Sequence, residues 1–469
     1  MISSIIWAII QIFNLIVLFY FLSINSFYFL TSIFAFKSLR KYSRRLQSFD
    51  VEELVASAGA PPITLLAPAY NEEATCVEAI KSLLTLNYPE FEIIIINDGS
   101  KDSTVETLVK AFEFSVSPRL PMSTIKTAKV RKIYKSSRYS NLWLVDKENG
   151  GKSDALNAGI NNCRTPFFCV MDADSLLERN ALIRIIRPFL EDSSTVAAGG
   201  IIRIVNDCKV EHGIVKDIRL PKNLLAKFQV LEYLRAFLSG RMGWDAINAT
   251  LIISGAFGLF RRTTVIAAGG FATDTVGEDM ELVVRLHRYC LENNIDYKIG
   301  FVPDPVAWTE CPETLKILGN QRDRWQRGLW ETLNKHRKML LNPNYGAIGF
   351  VAFPYFYFLE MLGPLIEFLG YISFVVTLIM GRASTSYILA FLALAFVLGV
   401  ALSIAAVAME ELSFRRYSRF SDLLKLFILA ILENFGYRQY ITYCRFRGII
   451  SVFRKKKSWG RMERKGFKK

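Results

Sequence analysis

The sequence lacks the patterns typical of disulfide scaffolds, cysteine metal sites and P-loop proteins. Its seven cysteines show no paired metal-ligand spacing, and Cys163, Cys169 and Cys290 fall in segments that we expect to lie in the cytoplasm, where thiols stay reduced. The glycine-rich turn that ends at Lys152 does not have the glycine spacing of a Walker loop. The first apolar run has its positive charges after it rather than before it, which does not fit a cleavable signal peptide.

Long apolar runs flanked by basic residues are present instead. The chain has 469 residues, of which 51% are hydrophobic, and its mean hydropathy is +0.24. Residues 5–36 are almost free of charge and long enough to span a bilayer with tilt. Lys37, Arg40, Lys41, Arg44 and Arg45 follow this run, so the positive-inside rule predicts a retained anchor whose C-terminal side faces the cytoplasm.

Apolar segments return near the end of the chain. Residues 345–380 fit either an interfacial helix plus one span or two short spans, residues 386–409 fit one span, and residues 423–432 either span or lie in the interface. Because the basic tail is expected in the cytoplasm, two or four crossings should follow the soluble part. Glu360, Glu367 and Glu433 fall at or near membrane depth, where each either faces a pore or protein neighbour or lies at headgroup level.

The net charge of +15 lies largely beside these apolar runs. Anionic lipid headgroups are therefore the expected partner of the basic residues, and nucleic acid is not.

Between the apolar ends, residues 62–341 have the composition of an α/β domain. Apolar runs that fit buried strands alternate with helical patterns at residues 63–67, 91–96, 142–145, 167–171 and 196–201. This alternation predicts βαβ units and a largely parallel sheet covered on both faces. Ligands of such sheets bind at the carboxyl ends of the strands.

Polar residues that suit a nucleotide follow these strands. Asp172 and Asp174 stand two positions apart after residues 167–171 and point the same way, which suits a hard divalent cation shared with a diphosphate; a solvated turn is the alternative. Asp98 can accept from a base or ribose, Tyr70 can stack on a base, and Lys152 can meet phosphate. A turn residue is the alternative for Asp98, and core packing is the alternative for Tyr70.

Two later motifs suit the transfer chemistry. Asp279, at the start of a predicted helix, can act as general base toward an acceptor hydroxyl, although capping of that helix would equally favour an acid there. In the Gln-Arg-Asp-Arg-Trp motif at 321–325, Arg324 can pair with a diphosphate and Trp325 can stack on a sugar. An ordinary amphipathic helix is the alternative.

In this order, the motifs resemble those of the membrane-integrated family 2 glycosyltransferases, the group of cellulose, hyaluronan, chitin and poly-N-acetylglucosamine synthases. The resemblance covers residues 62–328 and the flanking helices. It implies an α/β, GT-A (Rossmann-like) cytoplasmic domain with transmembrane and interfacial helices on both sides. It also implies inverting transfer from a nucleotide-diphospho-sugar, with a UDP-sugar as the favoured donor and Mg²⁺ or Mn²⁺ as cofactor.

The resemblance also implies a role for each matching residue. The nucleotide would be held by Tyr70, Glu72, Asp98, Lys152, Asp172 and Arg324. The metal would be held by Asp174 with Asp172, and catalysis would fall to Asp279 with Glu278 beside it. The acceptor would be met by Ser254, Gly255, Gln321 and Trp325.

The leading hypothesis is a multi-pass plasma (inner) membrane synthase that extends a β-linked polysaccharide processively and exports it. The alternative is a non-processive transferase that adds one sugar to a lipid carrier or glycolipid, and a third hypothesis is an inactive sugar-binding subunit. The sugar and the linkage are not encoded in these motifs. The predicted order of segments is an anchor at 1–36, a basic linker at 37–61, the transferase domain at 62–341, membrane and interfacial helices at 342–444 and a basic cytoplasmic tail at 445–469.

Overall fold

The computed structural model describes residues 2–48, 59–172, 175–211, 213–417 and 419–454. They divide into two compact units. The helical unit contains residues 2–40, 222–247 and 312–454, and the sheet unit contains residues 41–221 and 248–311, each within the described ranges. The predicted metal ligand Asp174 lies outside the described residues, as do residues 49–58 of the predicted linker and the end of the predicted tail.

Twelve strands occur in the described part of the sheet unit. They are β1 (Ile63–Ala69), β2 (Phe91–Asp98), β3 (Phe114–Val116), β4 (Val130–Ser136), β5 (Leu142–Lys147), β6 (Phe167–Met171), β7 (Leu176–Leu177), β8 (Thr195–Ile204), β9 (Lys209–Glu211), β10 (Ile214–Asp217), β11 (Phe257–Arg261) and β12 (Lys298–Thr309). Ten of them form one sheet in the order β3-β4-β5-β2-β1-β6-β11-β8-β12-β7, and β9 pairs with β10.

Helices connect and cover these strands and build the helical unit. They are α1 (Ile2–Ser48), α2 (Cys76–Leu83), α3 (Thr104–Phe112), α4 (Lys152–Asn162), α5 (Ala181–Glu191), α6 (Leu224–Tyr233), α7 (Arg241–Asp245), α8 (Arg262–Ala267), α9 (Glu278–Glu292), α10 (Leu315–Lys335), α11 (Gly363–Ile379), α12 (Thr385–Leu392), α13 (Leu398–Ser413), α14 (Phe420–Leu432) and α15 (Tyr437–Phe453). Wider π-helical turns occur at Leu234–Gly240, Ile348–Ala352, Tyr355–Met361 and Ala393–Val397. Short 3₁₀ turns occur at Arg337–Met339 and Pro343–Tyr345.

The predicted parallel strands form the centre of the sheet. β1 pairs in parallel with both β2 and β6, and β2 pairs in parallel with β5. These strands are almost wholly apolar and are buried on both faces by helices such as α4, as parallel sheets require. Their carboxyl ends therefore share one edge of the sheet, and the loops that follow them meet there.

One half of the sheet differs from the prediction. β8 is the next predicted strand along the chain after β6, but in the sheet β11 lies between them and runs antiparallel to both. β12 then pairs in parallel with β8. A strand that arrives from far along the chain is not visible in the local alternation of strands and helices, so its place in the sheet could not be predicted.

Within the described residues, three helices are long and apolar enough to cross a membrane: Ile5–Arg44, Ile348–Ile379 and Thr385–Ser413. α14 rises only about 20 Å, less than the hydrocarbon core of a bilayer, so its length favours two crossings after the sheet unit over four. α15 continues to Phe453, so the first residues of the predicted tail are helical.

The three acids predicted near membrane depth all meet protein neighbours of the helical unit. The Glu360 carboxylate accepts hydrogen bonds from Tyr28 and Tyr355 and pairs with Arg445. Glu367 accepts from the hydroxyls of Tyr20 and Thr442, and Glu433 pairs with Arg235 and Arg438. Of the alternatives posed for these acids, the structure therefore supports a protein neighbour for each.

Candidate active site

An acidic cluster around one lysine lies at the carboxyl edge of the sheet. Lys152 begins α4 directly after β5, and its Nζ lies 2.5 Å from Oδ1 of Asp172, which follows β6. The same nitrogen lies 3.3 Å from Oε1 of Glu278, at the start of α9. The end of one strand and the start of one helix, separated by more than a hundred residues, thus converge on one ammonium group.

The charge of Lys152 is fixed by this environment. Burial lowers the pKa of its ammonium, but the carboxylates of Asp172 and then Glu278 act in the opposite direction and raise that pKa above its usual value, with Asp279 adding to the effect. Lys152 is therefore a permanent cation at physiological pH, as contact with a phosphate group requires.

Asp279 is held beside this cluster by the loop that precedes β11. Its Oδ2 accepts a hydrogen bond from the backbone N–H of Gly255 at 3.1 Å, and its Oδ1 accepts from the N–H of Met280 at 2.8 Å. A Cβ atom placed on Gly255 would lie 2.9 Å from Nζ of Lys152 and 3.6 Å from Oδ2 of Asp279. Gly255 therefore fills the space between the predicted base and the predicted phosphate ligand, and Ser254 precedes it in the same loop.

Asp98 shapes the turn that carries Lys152. Its carboxylate, at the end of β2, accepts from the N–H groups of Gly150 and Gly151 at 2.9 and 2.8 Å and from Nδ2 of Asn149 at 3.1 Å. It also pairs with Nζ of Lys147 at 2.6 Å. The structure places Asp98 at the site, where its carboxylate oxygens bind groups of the turn and Lys147. Its predicted contact with a nucleotide therefore stays a prediction.

Tyr70 and Glu72 lie in the loop after β1, at the same edge. The Tyr70 ring is 45% exposed, so it is available for stacking rather than used in the core. The Glu72 carboxylate accepts from the hydroxyl of Thr75 at 2.8 Å, and its backbone N–H donates to Oγ1 of Thr104.

Three predicted residues belong to α10 in the helical unit. Gln321 is buried and accepts from Nη1 of Arg322 at 3.0 Å. The Arg322 guanidinium, 4.1 Å above the Trp325 ring, pairs with Glu232 at 2.8 Å. Trp325 is 39% exposed and Arg324 is half-buried. Within the helical unit, Arg324 and Trp325 are thus partly exposed, whereas Gln321 is buried next to the ion pair of Arg322 and Glu232.

The predicted metal site is described only in part. Asp172 stands at the end of β6 with its side chain one-third exposed, whereas its partner Asp174 lies outside the described residues. Within the described ranges, no group of three or more His, Cys, Asp and Glu side chains is placed to hold a metal ion. A partly exposed strand-end carboxylate still fits Mg²⁺ or Mn²⁺, since such ions keep several waters and use one or two carboxylates with substrate phosphates.

Two residues that the sequence did not single out support the site. Lys147, the last residue of β5, is fully buried and pairs with both Asp98 and Asp154 at 2.6 Å. Asp154, in the first turn of α4, also accepts from the N–H of Ala128 at 3.0 Å. The one signal in the sequence is a lysine at the end of a buried strand, just before a Gly-Gly turn, and it does not tell which carboxylates that lysine meets.

Two protein-family models match this chain. Residues 64–120 match the model described as "Glycosyl transferase family 2", and residues 121–328 match the one described as "Glycosyltransferase like family 2". Together the two matches cover more than half of the chain. The chain belongs to glycosyltransferase family 2. This confirms the resemblance stated from the sequence, and the family and the mixed α/β sheet together confirm the predicted fold class.

Curated members of the family are similar over most of this family 2 chain. The poly-beta-1,6-N-acetyl-D-glucosamine synthases of Staphylococcus aureus (strain COL) and Staphylococcus epidermidis are 29% and 30% identical to it over 326 and 324 residues. Each alignment covers 69% of this chain and 66% of the relative, so the chain spans slightly less than two thirds of their length.

Among solved structures, a mannosyltransferase from Pyrobaculum calidifontis in complex with GDP-Man and Mn²⁺ is similar to this family 2 chain with a TM-score of 0.49 and 17% identity. The similarity covers 88% of this chain and 99% of that one.

Proposed function

We propose that this family 2 chain is an inverting, metal-dependent glycosyltransferase that transfers an N-acetylhexosamine from a UDP-sugar to a growing β-linked polysaccharide. The observation that carries the proposal is the placement of Asp279: its carboxylate is held by the Gly255 N–H next to the ammonium of Lys152, at the ligand edge of the sheet. A base and a phosphate-binding cation side by side are what a displacement at an activated sugar needs.

The described residues suit both ends of that displacement. Asp279 takes the proton of the acceptor hydroxyl as its oxygen bonds to the anomeric carbon of the donor. On the opposite side the bond from that carbon to the diphosphate oxygen breaks, the nucleoside diphosphate leaves with the electron pair, and Lys152 offsets the charge that develops on it. Because attack and departure take place on opposite faces of the sugar, the anomeric configuration inverts.

A divalent metal completes the proposed site. Asp172 and Asp174 would hold Mg²⁺ or Mn²⁺, which when bound acts as a Lewis acid on the diphosphate. Replacement of Asp174 by Ala should therefore weaken UDP binding in the presence of Mn²⁺ and leave metal-free binding unchanged.

The choice of substrate rests on the curated relatives. Their names state a polymer of β-1,6-linked N-acetyl-D-glucosamine, and each alignment covers 69% of this chain. The apolar helices and the basic residues beside them support a multi-pass membrane protein with a cytoplasmic sheet unit, in which membrane lipids surround the helical unit.

The proposal is tested by a nucleotide-sugar screen on detergent-purified protein, with release of the nucleoside diphosphate as the readout. We expect turnover with UDP-N-acetylhexosamine and Mn²⁺ or Mg²⁺. The Asp279→Asn variant should bind UDP normally and lose at least about 100-fold in turnover, the scale of general-base catalysis. Asp296→Asn, an exposed acid of the same unit, is the matched control and should behave like the wild type.

The length of the product separates the processive hypothesis from its alternative. With labelled donor, a polysaccharide synthase gives a ladder of long products, whereas single-sugar transfer gives one labelled lipid. Absence of both transfer and hydrolysis for every donor would favour a sugar-binding subunit, and near-normal turnover of Asp279→Asn would remove its assignment as base.

A further inference from the structure

The proposed mechanism makes no use of the buried lysine beneath the Gly-Gly turn. Lys147 is wholly enclosed, and its ammonium is within 2.6 Å of three acceptors: Oδ1 of Asp98, Oδ1 of Asp154 and the backbone carbonyl of Glu148. An ammonium group has three N–H donors, so its hydrogen-bonding capacity is filled by these contacts. Burying such a charge is costly unless the surrounding groups compensate for it.

The two carboxylates on Lys147 hold both ends of one turn. Asp98 accepts from Gly150, Gly151 and Asn149, the three residues before Lys152. Asp154 lies two residues after Lys152 in the first turn of α4. Lys147 therefore connects the segments on either side of Lys152 through charge-assisted hydrogen bonds, which are the stronger kind.

Without the ammonium group, the carboxylates of Asp98 and Asp154 would repel each other. Asp98 and Asp154 each have one oxygen 2.6 Å from the same nitrogen, so loss of the nitrogen would leave two buried carboxylates facing each other. A carboxylate has about four lone-pair sites, and those of Asp98 are filled by donors from Lys147 and the turn. A carboxylate displaced by repulsion would release the Gly150 and Gly151 N–H groups.

We propose that Lys147 is a positioning residue: by neutralising Asp98 and Asp154 together, it fixes the turn at 149–151 and so presents Lys152 to the diphosphate of the donor. The part that concerns the donor rests on the function proposed above. The part that concerns the turn does not.

Hydrogen exchange tests the turn without any substrate. The variants are Lys147→Met, and Lys147→Met combined with Asp154→Asn, which removes one charge of each sign and thus keeps the cluster's net charge. Exchange at the Gly150 and Gly151 amides should rise about tenfold or more in both. In the single variant the two carboxylates repel each other, and in the double variant Asp98 has lost the ammonium that holds its carboxylate in place. Lys132→Met, which removes an exposed lysine of β4, is the control. If the folded double variant protects these amides as the control does, Lys147 does not position the turn.

Binding of UDP with Mn²⁺ tests the consequence for the donor. Measured well below its melting temperature, the double variant should bind UDP about tenfold more weakly, and Lys147→Arg, which keeps the charge, should recover most of that loss. A loosened turn with unchanged UDP affinity would refute the link to the donor. If the wild type binds no nucleotide, the proposed function fails, whereas the exchange measurement still decides whether Lys147 holds the turn.

Discussion

Adding a single methyl group at Gly255 should lower the activity of this protein while leaving its stability almost unchanged. In Gly255→Ala the new Cβ would lie 2.9 Å from Nζ of Lys152, closer than carbon and nitrogen tolerate, and 3.6 Å from Oδ2 of Asp279, an ordinary contact. The closest atom is the end of a flexible side chain rather than backbone. Lys152 can therefore move aside, and the free energy of unfolding should change by no more than about 1 kcal/mol.

Lys152 cannot move without a change in its ion pairs. Its ammonium is fixed by Asp172 at 2.5 Å and Glu278 at 3.3 Å, and a shift of several tenths of an ångström lengthens one of these contacts. Misplacement of a catalytic group by about 1 Å costs about 100-fold in rate. We therefore expect kcat/KM to fall by about ten- to a hundredfold in Gly255→Ala.

The assay compares initial rates of UDP release with thermal melting in the same detergent. Gly300→Ala is the matched control: Gly300 lies in β12, and a Cβ there would meet its nearest neighbour, Pro188, at an ordinary 3.5 Å. If Gly255→Ala melts like the wild type and also retains its kcat/KM, the position of Lys152 does not limit the reaction, and its assignment as phosphate ligand is wrong.

Two further substitutions test the sheet unit. Burial lowers the pKa of His287 from 6.5 to about 4, despite the hydrogen bond between its Nε2 and the Thr250 carbonyl. As the pH falls, the histidine of the unfolded chain is protonated before that of the folded protein. The free energy of unfolding should therefore fall by about 3 kcal/mol between pH 6.5 and pH 4. His287→Gln should flatten that part of the stability profile relative to the wild type, and an unchanged slope would contradict the assignment. Gly99 has a φ of +67°, and a Cβ there would lie 2.6 Å from the backbone nitrogen of Asn149. Gly99→Ala should therefore lower the free energy of unfolding by about 1–3 kcal/mol, and the melting temperature with it. A variant that melts like Gly300→Ala would refute this prediction.

Local sequence determined the centre of the sheet well. The five apolar residues of β6, between Pro166 and Asp172, were predicted with the bounds that the structure has. The edge at which the loops meet followed from the parallel direction of the strands, because parallel strands end together. Such features depend only on neighbouring residues and on one rule of topology.

Features that depend on pairing between distant segments could not be predicted. The alternation pattern of β5 does not tell whether Lys147 points into the protein, and only its register opposite Asp98 on β2 brings the ammonium to that carboxylate. The insertion of β11 between β6 and β8 is likewise set by contacts far apart in the chain.

Hydropathy does not distinguish a solvent-exposed charged helix from one that buries its charges, and α10 is an example. The composition of residues 62–341 placed α10 in the predicted transferase domain, and in the structure α10 packs along α15 in the helical unit. Its charged side chains are buried as pairs, with Asp323 and Arg327 3.0 Å apart and Arg322 2.8 Å from Glu232. A helix that buries paired charges has the composition of a solvent-exposed helix, so composition alone does not show that these charges are buried.

The charge balance at the edge of the sheet supports the proposed metal dependence without reference to any relative. Lys152 is the one ammonium in a described cluster with three carboxylates, those of Asp172, Glu278 and Asp279. A donor diphosphate brings further negative charge to a site whose own excess is already negative, and Lys152 alone cannot offset both. A divalent cation that enters with the diphosphate would reverse that repulsion.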